Sequence, residues 1–175
     1  MINSSFYKYI LIEDPKKLQK EHLEYCDKLG IKGKILVGKE GINGSISGTR
    51  KQIGKYEMDL IKNKIFKDIQ FKRTKTKEHP FRKMIVRERN EIVTSGLKVN
   101  LKNKGKYITS EKLKAILDKG EDVILLDARN DYESYVGKFK NAITPNIKTF
   151  KEFNKVPKLI SEHKDKKIIT YCTGG

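Results

Sequence analysis

Apolar positions along the first 78 residues switch repeatedly between strand-like and helix-like spacing, and the order of those switches predicts a fold. Phe6 to Ile12 is a β-rich run that stops at Asp14-Pro15, where aspartate suits a helix N-cap and proline the first turn. Leu18, His22, Tyr25, Cys26 and Leu29 follow at helical intervals, and Gly30 supplies a terminator. A strand over Lys34–Val37 leads through Gly38-Lys39-Glu40-Gly41 into a second apolar run, Ile42–Gly48, which is a hairpin signature. Thr49 and Gln52 have capping-box spacing ahead of a helix whose Ile53, Tyr56 and Leu60 share a face, with Met58 and Ile61 near its edges. A strand around Ile69–Phe71 completes β-α-β-β-α-β, the order of an α+β ferredoxin-like sandwich over residues 1–78.

The pattern weakens over residues 79–106, then returns in another form. Met84–Arg89 with Ile92 and Val93 predicts a bridging strand or hairpin, followed by Gly96 and a basic, Asn-rich stretch through Gly105. Tyr107–Ser110 reads as a short strand ending in a cap, and Leu113, Ile116 and Leu117 as a helical face closed by Gly120. Val123–Leu126 is a continuous apolar run ending in Asp127, as a parallel strand covered on both faces requires. Two further capping-box pairs, Asn130 with Glu133 and Thr149 with Glu152, announce helices; Gly137 ends the first and Pro157 interrupts or restarts the second. Ile168–Tyr171 then delivers Cys172 to the C-terminal end of a parallel strand, where α/β sheets build their sites.

Charge adds a possible partner to this outline. The 175 residues include 39 Lys and Arg against 22 Asp and Glu, a formal charge of +17. The excess is densest over 79–106, with 8 basic and 2 acidic side chains, and half of the six arginines lie there as Arg82, Arg87 and Arg89. A basic surface gains affinity for RNA by releasing counterions, and guanidinium groups grip phosphate or stack on bases. The lysine excess has an equally direct alternative in genome composition and solubility.

Two distant cysteines, Cys26 and Cys172, suggest neither a disulfide framework nor a metal site. Cys26 falls on the apolar helix face and is expected to pack as a small hydrophobe. The opening Met1-Ile2-Asn3-Ser4-Ser5 lacks a secretory pattern and no run has membrane-spanning length, so the expectation is a cytoplasmic protein with no membrane partner.

Several segments together carry a family resemblance. They are Glu40–Gly48, His79-Pro80-Phe81 with Met84, Glu91-Ile92-Val93 with Gly96, Leu126–Asn130, Tyr132-Glu133, Gly137-Lys138-Phe139 with Asn141-Ala142-Ile143, and Cys172-Thr173-Gly174-Gly175. In order and spacing the chain resembles the rhodanese-domain tRNA uridine hydroxylases. Lys138 stands where that family commonly has histidine, and the family's loop continues beyond the residue where this chain stops. The resemblance implies an N-terminal ferredoxin-like domain and an incomplete α/β rhodanese-like domain with a parallel sheet over 107–175, C-terminally truncated; the charge distribution sets a basic bridging segment over 79–106 between them. It also implies oxygen-dependent formation of 5-hydroxyuridine at the tRNA wobble position, with molecular oxygen as co-substrate and tRNA as partner. The residues themselves identify no cofactor and no dedicated protein partner.

Within this picture Cys172 is the expected catalytic residue and Thr173, Gly174 and Gly175 its active-site loop. Such a loop gathers backbone N–H groups around sulfur and favours thiolate. Asp127 and Arg129 are expected to support the pocket, the carboxylate by positioning and the guanidinium by attracting anions, or else to form a structural ion pair. Arg82, Arg87, Arg89, His79, Asn43 and Gly44 are candidates for RNA contact, although glycines in the Gly41–Gly48 pattern also serve tight turns. A sulfurtransferase and a non-catalytic RNA-binding fragment are the competing functions.

Overall fold

The computed structural model describes residues 1–94 and 105–173, so Gly96, Gly174 and Gly175 lie outside the described residues. The chain divides into two compact units, Met1–Val93 and Thr94–Gly175.

The first unit is a five-stranded sheet with two helices on one face. Its elements are β1 (Ile2–Tyr9), α1 (Pro15–Leu29), β2 (Lys32–Gly38), β3 (Gly41–Gly48), α2 (Arg50–Lys62), β4 (Gln70–Lys75) and β5 (Met84–Glu88). The strand order β4-β1-β3-β2-β5 contains the ferredoxin-like four-strand core, and β5 adds itself in parallel to β2. The capping signals act as the spacing predicts. Asp14 accepts from the Lys17 N–H, Gly30 closes α1 at φ 65°, and Thr49 and Gln52 form a reciprocal box at α2. Alternation along the strands puts Phe6, Ile35, Val37, Ile42, Ile46 and Val86 under the helices, where they pack with Cys26, Ile53, Tyr56 and Leu60.

Three differences from the sequence expectation have physical reasons. β1 begins at Ile2, because Asn3, Ser4 and Ser5 are paired on both sides by β3 and β4 despite their polarity. Ser4 is buried, and its hydroxyl donates to Glu57 at 2.6 Å. The first compact unit runs to Val93 rather than 78, because β5 completes the sheet and Gln19 on α1 donates to the Val86 carbonyl at 3.0 Å. The segment after β5 folds onto the β2–β3 turn. The Arg89 N–H donates to the Val37 carbonyl at 2.8 Å, the Ile92 N–H to Glu40 at 2.7 Å, and the Asn43 amide to the Ile92 carbonyl at 2.8 Å.

The second unit contains α3 (Ser110–Asp118), β6 (Val123–Asp127), α4 (Asp131–Val136), α5 (Val156–Leu159) and β7 (Lys167–Tyr171). Residues 107–109 do not form the short strand expected there; Thr109 instead caps α3 by accepting from the Lys112 N–H. β6 and β7 pair in parallel, and Ile143 forms a parallel bridge to Leu126 on the other side of β6. The Thr149 box opens a 3-10 segment, Phe150–Lys155, and Pro157 sits in the first turn of α5. A proline lacks only a donor that a first turn leaves unpaired, so the helix restarts there.

Candidate functional site

Parallel pairing brings the ends of β6 and β7 together, so Asp127 and Tyr171 are direct partners and Cys172 follows at the carboxyl edge. The Ala128 N–H donates to the Tyr171 carbonyl at 2.9 Å, which ties the loop after β6 to the residue before the cysteine. Cys172 is exposed, whereas Cys26 is buried in the first unit. Burial pushes the Cys26 thiol up to about 12, so it is not a nucleophile at neutral pH.

Asp127 is the hub of this edge. It has no solvent exposure, and its carboxylate accepts from Arg129 Nε at 2.9 Å, Arg129 Nη2 at 2.7 Å, Ser134 Oγ at 3.0 Å and the Tyr171 hydroxyl at 2.8 Å. The Arg129 backbone N–H adds a further donor at 3.1 Å. Burial pushes the carboxyl up, but the donors from Arg129, Tyr171 and Ser134 outweigh it and hold the group at about 2. The same bond to Asp127 raises Arg129 further above its ordinary range.

The guanidinium has further partners within the unit. Besides Asp127 it donates to the Gly137 carbonyl at 2.6 Å, and its carbon lies 5.5 Å from the Tyr171 ring centroid. Of the two roles weighed for this pair, the geometry is that of an internal ion pair rather than of an arginine reaching for an anion. Phe139 packs edge-on to Tyr171, with centroids 4.9 Å apart, and its N–H reaches the tyrosine hydroxyl at 3.3 Å.

Thr173 is bonded through its hydroxyl to Glu133. The other oxygen of Glu133 accepts from the Asn130 N–H at 3.2 Å, so one carboxylate both caps α4 and holds the residue after the cysteine. Sequence reasoning overlooked Tyr171, Ser134 and Glu133 as parts of this edge. The signal existed for Glu133, because its capping-box position fixes one oxygen and leaves the second to point outward.

The other candidates lie in the first unit. Arg82, Arg87 and Arg89 are exposed, with Arg87 on the edge strand β5. His79 has its Nδ1 buried without a hydrogen-bond partner. Asn43 is engaged with Ile92, and Gly44 lies in the core, where a Cβ would meet the Phe6 ring at 2.6 Å. In the fold Asn43 clamps the Ile92 segment and Gly44 makes room for the Phe6 ring. Among the described residues no group of three or more His, Cys, Asp or Glu side chains converges, and no described helix is long and apolar enough to cross a membrane.

Residues 1–92 match the family model described as the UPF0176 acylphosphatase like domain, just over half of the chain. This chain belongs to the UPF0176 family. Residues 109–175 match the model of the rhodanese-like domain, which fits the parallel edge bearing Cys172. Among curated UPF0176 relatives, a protein of Enterococcus faecalis named tRNA uridine(34) hydroxylase is 46% identical over 178 residues, covering 97% of this chain and 55% of its own length. A protein of the same name from Staphylococcus carnosus is 43% identical over 177 residues, with 97% and 55% coverage. The chain thus spans about half the length of the curated relatives it matches. Among solved structures, a bacterial light-regulated adenylyl cyclase superposes with a TM-score of 0.43 at 13% identity, covering 68% of this chain and 33% of that one.

Proposed function

We propose that this UPF0176 chain acts in 5-hydroxylation of the wobble uridine of tRNA, with Cys172 as its reactive residue and molecular oxygen as co-substrate. The observation that carries the reading is the similarity to proteins named tRNA uridine(34) hydroxylase, which extends over 97% of the chain. An exposed thiol at the carboxyl edge of a parallel pair supports it, since that is where α/β folds present reactive groups. The exposed Arg82, Arg87 and Arg89 support tRNA as partner through phosphate contacts.

The chemistry sets requirements of its own. Replacing C5–H by C5–OH with one atom of molecular oxygen leaves the other atom to leave as water, which consumes two electrons and two protons. A two-electron reductant from outside the chain is therefore part of the reaction. Addition of the Cys172 sulfur to C6 of the pyrimidine would raise electron density at C5 and direct the oxygen there; loss of the C5 proton would then expel the thiolate from C6 and restore the C5–C6 double bond.

The test compares tRNA from cells with the intact gene, without it, and with Cys172→Ser. Loss of 5-hydroxyuridine at position 34 in the last two is expected, and an unchanged level overturns the function. The rhodanese-like match favours sulfur transfer as a second reading. Incubation with thiosulfate would then leave one extra sulfur atom on Cys172 by mass spectrometry.

A further inference from the structure

Two hollows of the second unit meet at Asn146. The larger, about 680 Å³, is lined by Tyr132, Tyr135, Lys138 and Asn146 among others. The smaller, about 400 Å³, is lined by Lys155 and Lys158 and shares Asn146 with the first. Among the described residues Asn146 is one of two non-glycine residues with positive φ, at 50°. Strained backbone of this kind persists where the surroundings hold it, often at ligand sites.

The walls have an unusual composition for a solvated helix. Tyr132 is 63% exposed, Tyr135 93% and the adjoining Val136 88%. The two tyrosines are three residues apart on α4, so their rings project from one side. Acidic groups in the lining are occupied locally: Asp131 accepts from the Tyr132 N–H at 2.7 Å, and Glu152 from the Lys148 N–H at 2.7 Å. Exposed aromatic faces beside lysines fit one class of ligand in particular. Unpaired nucleobases stack on aromatic rings while their phosphates lie against basic groups, and a base-paired duplex offers neither.

We propose that these joined hollows form a stacking trough for a single-stranded RNA segment, with Tyr132 and Tyr135 as base platforms and Lys138, Lys155 and Lys158 along the phosphates. The inference rests on the tRNA reading above and deepens it. It gives the second unit an RNA contact of its own.

The test uses the whole chain and a 17-nucleotide anticodon stem-loop carrying 2-aminopurine in the loop, with a blunt RNA duplex of the same composition as control. Wild type is expected to quench 2-aminopurine and to prefer the stem-loop. Tyr132→Leu with Tyr135→Leu should relieve the quenching and weaken stem-loop binding at least about 30-fold, the lower bound for losing two base–aromatic stacks. Tyr132→Phe with Tyr135→Phe should retain both, because the rings remain. Unchanged stem-loop affinity in the leucine variant, or an equal loss of duplex binding, overturns the trough while leaving the hydroxylation reading intact. Stacking that is present in a chain whose deletion leaves 5-hydroxyuridine unchanged sinks the hydroxylation reading and upholds the trough. A wild-type chain that binds no stem-loop overturns both.

Discussion

Asp127 shows how much of this edge depends on a single side chain. Its carboxylate is fully buried and receives donors from Arg129, Ser134 and Tyr171. Asp127→Ala leaves the Arg129 guanidinium without its counter-charge and Tyr171 without its acceptor, and the expected cost to the second unit is about 3–5 kcal/mol. Denaturant unfolding followed by Tyr171-region amide signals would measure it, and a change below about 1 kcal/mol would contradict the hub role. The pH dependence has a definite sign. The folded carboxyl sits at about 2 against an ordinary value of 3.8, so its stabilisation is present above about pH 4 and is lost as pH falls toward 2. Thermal melts between pH 5 and 2 should show the midpoint of wild type falling more steeply than that of the alanine variant.

At the scale of elements, the β2–β3 hairpin explains the Glu40–Asn43 motif more fully than periodicity could. Gly41 has φ 147°, and a Cβ there would lie 2.0 Å from the Lys8 carbonyl oxygen. Gly41→Ala is expected to cost about 2–4 kcal/mol of first-unit stability, measured by denaturant midpoint, because strained backbone and steric overlap combine. Glu40 accepts from the backbone N–H of Ile92 and Asn43 donates to its carbonyl, and Ile92 is itself buried. The helices of the first unit were legible because each carries its own local markers: Asp14-Pro15 and Gly30, then Thr49 with Gln52. Non-local pairing was not. Ser4 falls outside the apolar run of β1 until β4 and Glu57 surround it, and Met84–Glu88 reads as a bridging strand or hairpin with no partner until β2 offers it a parallel edge. At the candidate site Cys172 and Asp127 were legible as strand ends. The Tyr171 hydroxyl was not, because its acceptor is 44 residues away in the chain.

For the whole molecule, the division into Met1–Val93 and Thr94–Gly175 sets what can be cut apart. A polypeptide of residues 1–93 is expected to unfold in one cooperative transition, with dispersed amide signals. One of residues 1–78 lacks β5, whose Val86 belongs to the buried core, and also lacks the buried Ile92; it should be less stable by several kcal/mol or fail to fold. Equal denaturation midpoints for the two would show that β5 is only an attached tail. The chain's formal charge of +17 bears on how such pieces behave in solution.

The two outer strands of the first sheet extend that point to the company the protein keeps. β4 carries Lys72, Arg73 and Lys75 and no acidic side chain, whereas β5 sets Glu88 beside Arg87. A bare strand margin is a template on which neighbouring molecules add strands, and like charge along it keeps copies apart. The colloidal consequence is that the β4 margin keeps copies apart while it remains cationic, and polyphosphate or other multivalent anions would erase that repulsion.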